Sequence, residues 1–177
     1  MRPSKNQPNL FQKGRYLVTA CILIIGFLLG ASVTAWGGEV LDDSLSPQKQ
    51  YGIQFQWAHR GNAKNLTKEE FHLLRSSVAG VEVYLDTAAY EGRRARIYIG
   101  LPRQIEGYSS TEEFLLSWTT DRIFSAGSVR PGNRALLFDG VVGSAVMVEM
   151  FTFILEIDAR HLNGKIQYAP FYEIETY

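Results

Sequence analysis

Several stretches of this chain alternate apolar and polar residues with a period of two, and this pattern most constrains its fold. Because successive side chains of a β-strand point to opposite faces, such alternation is typical of strands with one buried face. The first stretch places Ile53, Phe55 and Trp57 on one face and Gln54 and Gln56 on the other. We predict strands at residues 51–59, 81–86, 94–101, 114–119, 123–125, 135–138, 146–160 and 165–175.

One segment follows helical spacing instead. Thr67 and Glu70 form a capping box, in which the Thr side chain accepts from the first turn and the Glu side chain reaches back. Apolar residues follow within 71–74 at helical spacing. We therefore predict one short helix that is closed by residues 76–80.

About seven strands, one short helix and a single core predict an all-β fold, an antiparallel β-sandwich of immunoglobulin-like size. A small closed β-barrel is the alternative, because it also buries one face of every strand. The chain is 46% hydrophobic, and Cys21 is its only cysteine. The part after residue 35 therefore relies on its core and not on disulfides for stability.

Two turn signals predict how the strands pair. Asn163-Gly164 is the preferred pair for a type I′ turn, so we expect 146–160 and 165–175 to form a C-terminal hairpin. Glu91-Gly92 predicts a second hairpin, between 81–86 and 94–101, with an odd number of loop residues so that apolar residues share one face.

Three local sequence signals predict features of single turns or strands. Arg130-Pro131-Gly132-Asn133 is a strong turn signal. Glu149 is a charge among apolar neighbours, so we expect its strand to bend or bulge there. Pro170 has no N–H to donate, which predicts that the last strand is at a sheet edge at that point.

The N-terminus predicts export. Four basic residues and no acidic ones lie in the first 15 positions, and Leu17–Ala35 is uncharged. This pattern is typical of a signal peptide, or of a signal anchor that stays in the membrane as a single helix. Val33-Thr34-Ala35 is an acceptable cleavage site, whereas 19 uncharged residues are also enough to cross the hydrocarbon core. Both readings place the rest of the chain in the periplasm or on the extracytoplasmic face.

The chain therefore divides into a leader at 1–35, a polar linker at 36–50 and a single domain at 51–177. The whole sequence has 18 basic and 18 acidic residues, but four of the basic ones are in the leader. The exported part is mildly acidic, which argues against nucleic acid as a partner.

One basic surface is predicted on the strand at 94–101. Arg94, Arg96 and Tyr98 alternate with apolar residues and therefore point outward together. Guanidinium groups arranged in this way could bind phosphate, anionic sugars or lipid headgroups. They could equally form salt bridges with acidic residues of a neighbouring strand or subunit.

One acidic surface is predicted on the C-terminal hairpin. Its expected register brings Glu156, Asp158, Glu173 and Glu175 to one face. Four carboxylates could bind a hard cation such as calcium, or supply the acid and base of a glycoside hydrolase. A solvated strand face that discourages edge pairing is the simpler interpretation.

No catalytic, cofactor or metal motif stands out, and we predict no cofactor. The sequence is best interpreted as a non-enzymatic envelope protein that binds a partner protein or a surface polymer. A carrier of a small apolar ligand or lipid is one alternative. An envelope hydrolase that uses Glu156, Asp158 and the Arg94 and Arg96 pair is another.

Overall fold

The computed structural model describes residues 37–47, 53–58 and 72–177, all within one compact unit, Gly37–Tyr177. The predicted leader and the capping box at residues 67–70 lie outside these ranges. Within them, no helix is long and apolar enough to cross a membrane.

The described ranges form eleven strands, and the prediction of an all-β fold is confirmed. The strands are β1 Glu39–Val40, β2 Gln56–Trp57, β3 Leu73–Asp86, β4 Arg94–Gly100, β5 Glu106–Tyr108, β6 Phe114–Thr120, β7 Gly127–Val129, β8 Arg134–Val141, β9 Val146–Asp158, β10 Leu162–Gln167 and β11 Phe171–Thr176. Two 3-10 turns lie at Ala88–Tyr90 and Ala159–His161.

Two antiparallel sheets pack face to face as a sandwich. Sheet A has the strand order β1-β11-β4-β8, and sheet B has the order β2-β3-β9-β6-β7. Neither sheet closes into a barrel, so the sandwich is the correct one of the two expected architectures. A separate pair, β10 with β5, completes the strand pairing.

The inward residues of both sheets form one core. In β4 the odd-numbered Ala95, Ile97 and Ile99 are buried, as the alternation of apolar and polar residues predicts. Trp118 and Phe114 of β6 are the largest fully buried side chains of the described residues. Burial of this apolar surface supplies the main stabilising free energy of the sandwich.

The predicted helix is wrong over the residues that the structure describes, since β3 begins at Leu73. A bulge in β3 explains why the sequence shows no continuous alternation of apolar and polar residues there. Before the bulge the even-numbered Leu74 and Ser76 face the core, and after it the odd-numbered Val83 and Leu85 do. The bulge includes Gly80, whose φ of 72° is easily reached only without a Cβ.

The hairpin predicted between 81–86 and 94–101 is also wrong. The two strands lie in different sheets, because β3 pairs with β2 and β9 whereas β4 pairs with β8 and β11. The turn at Gly92 does form, with a φ of 77°, but it carries the chain from one sheet to the other.

The predicted C-terminal hairpin is wrong as well. Asn163 and Gly164 lie inside β10, and neither has the positive φ that a type I′ turn requires. The chain turns earlier, at the 3-10 turn Ala159–His161. The Asp158 side chain caps this turn by accepting a hydrogen bond from the backbone N–H of Arg160. Consequently β9 belongs to sheet B and β11 to sheet A.

Three smaller predictions are also corrected. The bulge expected near Glu149 is instead on the neighbouring strand β3, and β9 continues in register with it at Glu149. Residues 123–125 form no strand. Pro170 precedes β11 and lies in no strand, and β11 itself is flanked by β1 and β4.

Part of the predicted linker belongs to the domain. Glu39 and Val40 form β1 and pair with Ile174 and Glu173 of β11. The next residue, Leu41, is buried in the core. The sandwich therefore begins well before Tyr51.

Candidate functional site

The arginine stripe predicted on β4 lies on the outer face of sheet A. Arg94 and Arg96 are exposed and Tyr98 is half-buried, while the residues between them face the core. We call this face the sheet A surface: it consists of the outward side chains of β1, β11, β4 and β8, together with Tyr177, which directly follows β11.

Half of the predicted acidic face meets this stripe. In the register of β11 with β4, Glu173 lies opposite Tyr98 and Glu175 lies opposite Arg96. The other two carboxylates, Glu156 and Asp158, are on β9 in sheet B. The four-carboxylate face is therefore not formed, because the hairpin that would have created it does not exist.

Glu173 and Glu175 bind an arginine from two strands away. Arg134 of β8 donates from Nη1 to Glu173 Oε2 at 3.0 Å and from Nη2 to Glu175 Oε1 at 2.6 Å. Its guanidinium also stacks on the Tyr98 ring, 4.1 Å from the ring centroid. Since β4 lies between β8 and β11, the Arg134 side chain crosses over Tyr98 to reach both carboxylates.

A second charged group surrounds Tyr177. Arg96 Nε donates to Asp139 Oδ2 at 2.9 Å, and the Tyr177 hydroxyl donates to the same carboxylate. The guanidinium of Arg96 lies 4.7 Å from the Tyr177 ring centroid, and that of Arg94 lies 5.6 Å from it. The hydrogen bonds from Tyr177 and Arg96 hold the pKa of Asp139 below its ordinary value.

Four exposed apolar or aromatic side chains complete the sheet A surface. Val40, Leu136, Val141 and Tyr177 are between 45% and 65% exposed. The register puts Val40 opposite Glu173, Leu136 opposite Tyr98 and Val141 opposite Arg94, so all lie on the outer face. Half of the eight large apolar side chains that are exposed in the described ranges are thus on this one surface.

The charges of the sheet A surface balance one another. Arg94, Arg96 and Arg134 are matched by three carboxylates, those of Asp139, Glu173 and Glu175. Sequence patterns alone do not point to Arg134 or Asp139, because only the strand order brings them beside β4. An excess of positive charge, which a polyanion would need, is therefore missing from this surface.

Glu156 and Asp158 have separate surroundings in sheet B. Glu156 Oε1 lies 3.4 Å from Arg75 Nε on the outer face. Asp158 is buried and accepts from Arg160 Nη2 at 2.5 Å. The hydrogen bond from Arg160 keeps the pKa of Asp158 below its ordinary value, so this carboxylate is charged at neutral pH. In the part of the chain that the structure describes, no three metal-ligating side chains come together.

Glu149 is a buried carboxylate that points between the sheets and is 1% exposed. Its Oε2 accepts from the backbone N–H groups of Ile123 at 2.6 Å and Phe124 at 3.2 Å, and its Oε1 accepts from Met150 N at 3.0 Å. Burial raises its pKa, but these backbone donors outweigh that effect and leave the pKa below its ordinary value. Glu149 thus holds the segment between β6 and β7 in place.

Comparisons with known proteins assign no family to this chain. The chain matches no protein-family model, no curated protein and no solved structure.

Proposed function

We propose that this chain is an exported, non-enzymatic envelope protein whose β-sandwich binds a partner protein through the sheet A surface. The observation that carries the proposal is the combination of arginine and tyrosine side chains, fixed by internal salt bridges, with four exposed apolar side chains beside them. The uncharged stretch after a basic N-terminus supports the envelope location.

The composition of the surface favours a protein over an anionic ligand. Aromatic residues and arginine are enriched in the centres of protein interfaces, where they supply most of the binding free energy. Arg96 and Arg134 are already bonded to carboxylates, so a phosphate would have to compete with Asp139, Glu173 and Glu175. A protein partner gains from the same groups without separating the pairs.

The surface is also held in one conformation before binding. Arg134 is fixed by two carboxylates and one ring, and Tyr177 by Asp139 and two guanidinium groups. Side chains that are already ordered lose less conformational entropy when a partner binds. This organisation supports a binding role for the face rather than a purely solvated one.

Site-specific photo-crosslinking in intact cells tests the proposal. A photoreactive phenylalanine analogue replaces Leu136 on the sheet A surface, and in a matched control it replaces Met150, which is exposed on the outer face of sheet B. We expect a discrete protein adduct from position 136 and not from position 150. In the same chain, Arg134→Ala should reduce the adduct, because the surface loses its central side chain.

Equal adducts from both positions, or none from either, would contradict a protein-binding role for the sheet A surface. Native mass spectrometry of the purified full chain distinguishes protein binding from the alternative, in which the chain carries a lipid or a small apolar ligand. A bound lipid or small apolar molecule in that spectrum, without a protein adduct at 136, would favour a carrier.

A further inference from the structure

The Asn163-Gly164 dipeptide belongs to a strand and not to a tight turn, and both of its residues are exposed to solvent. β10 pairs with β5 near its two ends, at Leu162 and at Gln167. Residues 163–166 lie between these pairs on β10, whereas β5 has only Gly107 there. A regular ladder of hydrogen bonds therefore does not hold this part of β10.

An asparagine that precedes a glycine can lose its side-chain amide without an enzyme. The backbone nitrogen of the glycine, after losing its proton, attacks the side-chain carbonyl carbon, so that a C–N bond forms and ammonia leaves. Glycine favours this attack because it has no Cβ to hinder a close approach. Water then opens the five-membered imide at either of its two carbonyl groups. The net reaction consumes one water, releases one ammonia and involves no oxidation or reduction.

The surroundings of Asn163 leave this reaction unhindered. Within the described residues, no hydrogen bond holds its side-chain amide, and solvent water reaches it. Asn133, the other asparagine of the described ranges, differs in two respects. Its Nδ2 donates to Pro131 O at 3.4 Å, and it precedes Arg134, whose Cβ hinders the attack. Of the two asparagines, Asn163 is therefore the reactive one.

The product affects the contact between β10 and β5. Opening of the imide at its backbone carbonyl gives isoaspartate, in which the main chain runs through the former side chain and is one carbon atom longer. A Cβ on Gly107 would overlap the carbonyl group of Lys165, and a Cβ on Gly164 would lie 3.6 Å from Gly107 Cα. Two backbones that pack this closely leave no room for a longer main chain.

We propose that Asn163 is a site of spontaneous deamidation in the folded chain, with water as the co-reactant, and that its isoaspartate product loosens β10 from β5. The change adds a negative charge on an exposed part of β10 and requires no modifying enzyme. It is independent of the partner-binding role of the sheet A surface, so the failure of either proposal leaves the other unaffected.

Peptide mapping by mass spectrometry tests the proposal on the purified full chain, incubated in detergent at mildly alkaline pH. We expect conversion of Asn163 to a mixture of aspartate and isoaspartate, and no conversion of Asn133 over the same period. Gly164→Ala should slow the conversion by about tenfold or more, because its Cβ hinders the attack. This variant should fold, since Gly164 has no positive φ and the added Cβ would lie no closer than 3.6 Å to its nearest neighbour.

The same chain unfolded in urea gives the rate of the reaction without the fold. Conversion in urea but not in the folded chain would overturn the proposal, because β10 would then hold Asn163 away from the reactive geometry. Equal conversion of Asn133 in the folded chain, or an unchanged rate in Gly164→Ala, would also overturn it.

Asn163→Asp is the matched control for the structural consequence, because it adds the same charge without lengthening the main chain. Hydrogen exchange of β5 and β10 should be faster in the isoaspartate-containing chain than in Asn163→Asp. Equal exchange in the two proteins would contradict the loosening of β10 from β5.

Discussion

At the scale of single residues, Glu149 shows how a charge is tolerated inside an apolar strand. Because its neighbours in β9 are apolar, a bulge was expected at Glu149. The strand instead continues without one, and the carboxylate is buried. Backbone N–H groups of the segment after β6 satisfy it instead. A sequence pattern can reveal such a charge but not its donors, because they come from a non-strand segment 25 residues away.

We predict that Glu149→Gln destabilises the fold. The amide has nearly the same shape, but it is uncharged, and its NH2 group cannot accept from the backbone donors. Losing charge-assisted hydrogen bonds at a buried site should lower the free energy of unfolding by about 1–3 kcal/mol. Urea unfolding measures this as a lower midpoint.

Glu156→Gln on the same strand is the control. Glu156 lies on the outer face, and its 3.4 Å contact with the exposed Arg75 is a surface salt bridge. Its loss should change the free energy of unfolding by less than about 1 kcal/mol. If the two variants lower stability equally, Glu149 is not the structural anchor that we describe.

At the scale of elements, alternation predicts strands well but does not predict their neighbours. β4, β6 and β9 lie where the pattern places them, and in β4 the apolar residues that alternate with Arg94, Arg96 and Tyr98 are buried as expected. The apolar face of a strand can meet the core equally well beside another strand or across from it in the second sheet. The alternation of β4 and of the second half of β3 is therefore satisfied by strands in different sheets.

At Asn163-Gly164, tertiary structure overrides the turn signal of the sequence. This dipeptide is in β10 because β10 pairs with β5, and Gly164 lies close to the backbone of Gly107 in that strand. Gly107 has a φ of 78°, and a Cβ there would overlap the carbonyl group of Lys165. Glycine is needed on β5 for the two backbones to approach.

We predict that Gly107→Ala disrupts this pair of strands. The substitution adds strain at a positive φ and a clash with backbone that cannot move aside, so the loss of stability should exceed about 1 kcal/mol. Hydrogen exchange should show faster opening of β5 and β10. Gly143→Ala is the control, since a Cβ at that position would have no atom within 4 Å. An equal effect of both alanines would contradict this role of Gly107.

At the scale of the whole molecule, the candidate site was only partly accessible from sequence. Arg94, Arg96 and Tyr98 share a face because they share one strand, and that much follows from a period of two. Their partners Arg134 and Asp139 lie on β8 and the carboxylates Glu173 and Glu175 on β11. Which strands flank β4 depends on the sheet order, which is a property of the complete fold.

The stability of the whole domain should fall in acid, and the structure indicates why. Glu149 and Asp158 both have a pKa below their ordinary values of 4.5 and 3.8 in the folded chain. A carboxyl group of this kind stabilises the fold above its unfolded-state pKa, and that contribution is lost as the pH falls through the folded-state pKa. The free energy of unfolding should therefore be nearly constant down to about pH 5 and decrease below it.

The Glu149→Gln variant isolates one part of this dependence. It lacks the titrating group, so its stability should lie below that of the native chain at neutral pH and approach it as the pH falls below about 4.5. Urea unfolding of both proteins at a series of pH values from neutral to acidic measures the difference. A difference that stays constant over that range would mean that the charge of Glu149 does not stabilise the fold. Convergence would instead show that the buried charge, through its bonds to the segment after β6, contributes to the stability of the sandwich.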